Sequence, residues 1–153
     1  MGKLNFTLRV NERNFTVSIA NNFTFAEQKL HPKDKLMKDS ELRTRTRAFA
    51  LHIIAVCDEI DARKGRSVLV NQIVRSATSI GANIHEANYA VSKADFINKF
   101  HIALKECGET EYWIEMLVGS NTISEETSKE LLQECGVIRR MLVKSITTAK
   151  ENG

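Results

Sequence analysis

SVLVNQIVRSATSIGANIHEANYA, residues 67–90, decides the fold. Leu69, Ile73, Ser76, Ile80, Ile84 and Ala87 recur in steps of three and four, the spacing that returns side chains to one face of an α-helix and makes the seam of a bundle. A single amphipathic helix gains little stability alone in water, so this stripe calls for partner helices to cover it.

Those partners lie on either side. Upstream, Ser40 is a candidate N-cap and Phe49, Ile53, Val56 and Ile60 form a stripe at helical spacing, predicting a helix over about 40–60. Asp61 to Arg66, with Gly65, makes the turn into the second helix, about 67–90. Downstream, Ser92-Lys93-Ala94-Asp95 is a capping-box variant, a serine with a carboxylate three residues on. It opens a third helix, about 93–118, with Phe96, Phe100, Ala103, Cys107, Ile114 and Leu117 on its inner face. Gly119-Ser120-Asn121 closes that helix. Ser124, followed by Glu125 and Glu126 in the first turn, opens a fourth over about 125–150, whose core face is Leu131, Cys135, Ile138, Leu142 and Ile146. Links this short force sequential helices to run antiparallel. Residues 37–153 therefore predict an all-α, antiparallel up-down-up-down four-helix bundle.

Residues 1–36 have a different character. Asn5-Phe6-Thr7, Asn14-Phe15-Thr16 and Asn22-Phe23-Thr24 recur at 9 and then 8 residues among Leu8, Val10, Val17 and Ile19, a weak β pattern. Each copy matches an N-glycosylation acceptor, which has no consequence without secretion. Pro32 sits in a charged, linker-like stretch, and helical periodicity begins afresh after Met37. We read this segment as a poorly ordered or weakly β extension, of the kind an over-long gene start produces.

A chain of 153 residues with 42% hydrophobic content supports one well-buried core. No apolar run reaches the roughly 18–20 residues of a membrane span, and no signal peptide is visible, so the expected location is cytoplasmic with no membrane contact. Cys57, Cys107 and Cys135 lie at apolar helical positions without metal or redox spacing and read as small core residues.

Arg75-Ser76-Ala77-Thr78-Ser79-Ile80-Gly81-Ala82-Asn83-Ile84-His85-Glu86, with Phe96-Ile97, Ile102-Ala103-Leu104 and Glu109-Thr110-Glu111-Tyr112, resembles the bacterial four-helix bundle family of S23 ribosomal proteins, or 23S rRNA intervening-sequence proteins. The likeness covers roughly Asp39 to Ala149. His85 stands where a small residue is usual and Ala87 where glycine is usual, and neither change should break a helix. The resemblance implies self-assembly into a ring, typically a homopentamer. The chain is similar also to the accessory proteins of diversity-generating retroelements, which implies RNA or DNA and a reverse transcriptase as partners. It implies no enzymatic activity.

The residues themselves carry no catalytic motif. Bundle di-metal sites use inward Glu-x-x-His pairs. The residues three before His52, His85 and His101 are Phe49, Ala82 and Asn98, so neither a metal nor another cofactor is expected. Asn83 and Glu86 on the second helix and Glu109 and Glu111 on the third are expected to form a structural polar network, across helices or subunits, through Arg75 or Tyr112. The small run Ser76–Asn83 is expected to admit a closely packed neighbour, with Phe96, Phe100 or Trp113 filling the space, or to form a subunit interface or ligand groove.

Charge supplies the remaining hint. Of the net +3, six basic and three acidic residues lie before Met37, which leaves sixteen of each in the bundle. The up-down-up-down topology gathers Arg43, Arg45, Arg47, Arg139, Arg140 and Lys144 towards one end and Glu106, Glu109, Glu111, Glu125 and Glu126 towards the other. Repeated around a ring, such a basic end would contact phosphates cooperatively and in a salt-dependent way. With Tyr112 and Trp113 expected in packing, base-specific reading is not expected. Two functions follow: a non-enzymatic, oligomeric accessory protein that binds nucleic-acid backbone, or a ring-forming scaffold for a protein partner.

Overall fold

The computed structural model describes residues 5–10, 13–18, 41–60 and 65–151. Contacts divide the chain into two units, Met1–His31 and Pro32–Gly153. In the first, strands β1 (Asn5–Val10) and β2 (Arg13–Ser18) pair antiparallel, with Phe6 opposite Val17 and Leu8 opposite Phe15. Two copies of the Asn-Phe-Thr repeat lie on these strands. The third copy, Pro32 and Ser40 lie outside the described residues.

The second unit is four helices: α1 (Glu41–Asp58), α2 (Ser67–Glu86), α3 (Lys93–Gly119) and α4 (Glu125–Glu151). Each packs on the next, and α4 returns to pack on α1. The pairs Arg43 with His85 and Thr46 with Gly81 set α1 antiparallel to α2, and Ser76 with Thr110 and Glu86 with Lys99 set α2 antiparallel to α3. The five residues between α3 and α4 span far too little to carry the chain back along a 27-residue helix, so this pair also reverses. Among the described residues, no helix is long and apolar enough to cross a membrane.

Local chemistry sets the helix ends. The second helix is shorter than its hydrophobic pattern suggests: α2 ends at Glu86 and a 3-10 turn, Ala87–Tyr89, follows. Ala90 leaves helical geometry at φ −58°, ψ 130°, because the chain must become extended to reach the next N-cap. There Ser92 Oγ accepts from Asp95 N at 3.1 Å, and Asp95 Oδ2 accepts from Val91 N at 3.1 Å. At the far end Asn121 takes a left-handed φ of 52°, and Thr122 N donates to Leu117 O at 2.8 Å, closing α3 as a Schellman turn. Ser124 Oγ caps α4 by accepting from Thr127 N. Arg66 donates to both the carbonyl and hydroxyl oxygens of Ser120, at 2.7 and 2.8 Å, joining the link after α1 to the turn after α3.

The core holds Phe49, Ile53, Ile73, Ile80, Ile84, Ile114, Leu117, Leu131, Ile138 and Leu142, all essentially sealed from water. Each such side chain contributes roughly 1.5–3 kcal/mol on burial. A buried polar contact crosses the α2–α3 seam: Thr110 Oγ1 donates to Ser76 Oγ at 2.9 Å, and Ser76 Oγ donates to Ile73 O. Both hydroxyls are buried, and this pairing satisfies them where a methyl group would leave one orphaned. The three cysteines are buried and free. Burial, helped by Asp58, pushes the Cys57 thiol up to about 11. Hydrogen bonding to Cys107, together with burial, pushes the Cys135 thiol up as well.

Candidate functional site

The expected polar network resolves into separate contacts. Arg75 donates to Glu109 across the α2–α3 seam, and the same carboxylate oxygen accepts from Trp113 Nε1 at 3.2 Å. Glu106 lies beside them, its carboxyl pushed up by burial and by Glu109. Glu86 accepts from Lys99 at 2.6 Å, Glu111 pairs with Arg139 at 3.2 Å, and Asn83 donates to Ser79 O within its own helix. These contacts fix the register of α2 on α3 and of α3 on α4. Among the described residues, no group of three His, Cys, Asp or Glu side chains is arranged to hold a metal ion.

The six basic residues singled out by topology are also in different situations. Arg45 is paired with Glu41 one turn away at 2.8 Å, and Arg139 is paired with Glu111. Helix order alone puts Glu111 and Arg139 at opposite ends of the bundle. Arg139 sits near the middle of α4, and its long side chain spans the remaining distance. Arg47, Arg140 and Lys144 are exposed and form no ion pair among the described residues. Arg43 donates from Nη2 to His85 Nδ1 at 3.0 Å. A guanidinium can only donate, so Nδ1 is the acceptor in this contact.

What the structure brings together is a groove of about 520 Å³ on the outer side of α1 and α2. Arg43 and Arg47, one turn apart, line it on α1, with Ala50, Leu51 and Ile54 further along. Thr78, Gly81, Ala82 and His85 form the wall on α2. Gly81 makes this wall low: a Cβ there would stand 3.6 Å from Thr46 Oγ1, an ordinary contact, so its bare Cα leaves room on the groove side. None of the described lining residues is a carboxylate. The small run thus has two duties, with Ser76 and Ala77 buried against the core and Gly81 and Ala82 facing the groove. At its end, beyond His85, Tyr89 projects from the 3-10 turn, with its ring centroid 5.7 Å from that of His85. Sequence reading missed Tyr89 because it falls one residue short of the expected helix end, on no periodic face.

A small four-helix bundle of this kind, with two arginines and a histidine lining an outer groove, belongs to the all-α class of proteins. More closely, the chain belongs to the 23S rRNA-intervening sequence protein family, whose model matches residues 38–144. A solved structure of a protein of unknown function from the S23 ribosomal protein family of Bacteroides thetaiotaomicron is similar, with 38% identity and a TM-score of 0.66. The match covers 75% of this chain and 98% of that one. No curated protein matches the chain.

Proposed function

We propose that the protein is a non-catalytic accessory protein that binds the phosphate backbone of RNA or DNA, as a homo-oligomeric ring. The observation that carries this reading is the groove, where Arg43 and Arg47 stand one turn apart with no carboxylate among the described lining residues. Fixed guanidinium charges and hydroxyls suit a phosphate diester. Arg140 and Lys144 on α4 would add charge to the same rim when copies are brought together.

A face for contact between copies is supported by α3. Tyr112 and Met116, one turn apart, are 50% and 37% exposed, and Gly108 beside them has open space where a side chain would stand. A ring built through this face is compatible with a second function, a scaffold for a protein partner. Light scattering after size exclusion, with a mixed RNA and DNA oligonucleotide pool at low and moderate salt, separates the two. The first reading expects a complex heavier than a monomer that carries nucleic acid at low salt and sheds it as salt rises. An assembly that ignores nucleic acid at every salt concentration overturns it in favour of the scaffold.

A further inference from the structure

We infer that Tyr89, braced by His85, is a stacking platform for an unpaired base of a single strand whose phosphates lie along Arg43 and Arg47. This deepens the backbone-binding proposal and rests on it.

Three contacts place the platform. Arg43 on α1 holds the His85 ring from Nδ1 at 3.0 Å, and His85 on the last turn of α2 meets the Tyr89 ring edge-on, at an interplanar angle of 64°. The backbone beneath is fixed, since Ala87 is buried and Ala90 N donates back to Ala87 O at 3.2 Å. The ring is nevertheless 75% exposed, and Val91, two residues on, is 93% exposed. A single exposed aromatic is ordinary. An anchored ring, braced by a histidine that an arginine holds and that itself lines a groove with no carboxylate among its described lining residues, sets a π-face next to phosphate ligands. A nucleotide of a single strand has both complementary parts. Paired bases hide their faces within the stack, so a duplex engages only the arginines. The platform therefore confers a preference for single strands.

The test is fluorescence anisotropy with the full chain at one low salt concentration. The probes are labelled 12-nucleotide oligo(U) and oligo(dU), an abasic 12-mer with the same phosphates, and a duplex of equal length. The base-bearing strands are expected to bind at least about 5-fold tighter than the abasic strand, the low end for one base on an aromatic ring. Tyr89→Ala should remove that advantage and leave abasic and duplex affinities unchanged, while Tyr89→Trp should keep it. A loss for both oligo(U) and oligo(dU) supports reading of the base irrespective of sugar, and a loss confined to one supports that nucleic acid as the ligand. Equal wild-type affinity for base-bearing and abasic strands overturns the platform and leaves the phosphate proposal standing. Absence of binding to every probe overturns both. A change in assembly mass on Tyr89→Ala, followed by light scattering, would identify Tyr89 as a subunit contact and overturn the platform as well.

Discussion

The two faces of α2 have opposite characters within the same 20 residues. On the inner face Ile73, Ser76, Ala77, Ile80 and Ile84 are sealed against the rest of the bundle. On the outer face Thr78, Gly81, Ala82 and His85 look onto an open groove flanked by arginines. The inner face is held by burial, which every atom shares, so its loss is felt as stability. The outer face is held by the helix and, at His85, by one hydrogen bond from Arg43, so its side chains can be changed with less cost to the fold and can serve a ligand.

That separation can be broken most directly on the inner face. Ile80→Ala should destabilise by about 2–5 kcal/mol, through lost burial and the cavity left behind. This corresponds to a fall in Tm of at least about 4 °C by calorimetry. Oligonucleotide affinity of the fraction that stays folded should be unchanged. On the outer face the outcomes exchange places. Arg43→Ala combined with Arg47→Ala should cost no more than about 1.5 kcal/mol of stability, mainly through the lost hydrogen bond to His85. In a salt titration by anisotropy, the slope of log K against log salt should fall by about 1.4 for each subunit engaged, the value for two lost phosphate contacts on a single strand.

Gly81→Ala sharpens the comparison because it should move the two properties in opposite directions. Its Cβ would meet Thr46 Oγ1 at 3.6 Å without a clash, so helix propensity decides the sign and should add about 0.5–1 kcal/mol of stability. The same methyl group raises the groove wall, so affinity for a single strand should drop. Chemical denaturation and anisotropy on one preparation check both.

The smallest expected effect lies at the α1–α4 contact. His52 Nδ1 and Glu134 Oε2 are 3.3 Å apart, and the bond to Glu134 raises the histidine pKa, with the charges of Glu134 and Glu130 adding to it and burial opposing it. A raised folded pKa means that this stabilisation is fully present below the unfolded value of 6.5 and is lost as pH rises through the folded value. Tm should therefore fall by roughly 1–3 °C over that window, for a part-exposed pair worth about 0.5 kcal/mol. Glu134→Gln should flatten the dependence.

These expectations also mark what the sequence made legible. Hydrophobic steps of three and four place Phe49, Ile73, Ile80, Ile114, Leu131 and Leu142 on inner faces, and all of them are buried. The Ser92 cap and the Asn121 turn follow from local hydrogen bonding that a few residues fully specify. Periodicity reports what leaves water and says nothing about which exposed groups meet. Arg43 and His85, 42 positions apart, are joined only by the crossing of α1 on α2. Arg139 shows the same gap from the other side: helix order placed it by end, but side-chain length let it reach Glu111. Tyr89 was hidden for a third reason, since the helix stops before it to let the chain reach Ser92.

Mapping the contacts of a 12-nucleotide single strand on the isotopically labelled protein by backbone amide shifts tests the central claim most directly. The expected result is a set of shifts confined to Arg43, Arg47, Gly81, Ala82, His85 and Tyr89 and their neighbours, fading as salt is raised. Shifts that cluster on the outer faces of α3 and α4 and spare the α1–α2 groove would contradict it.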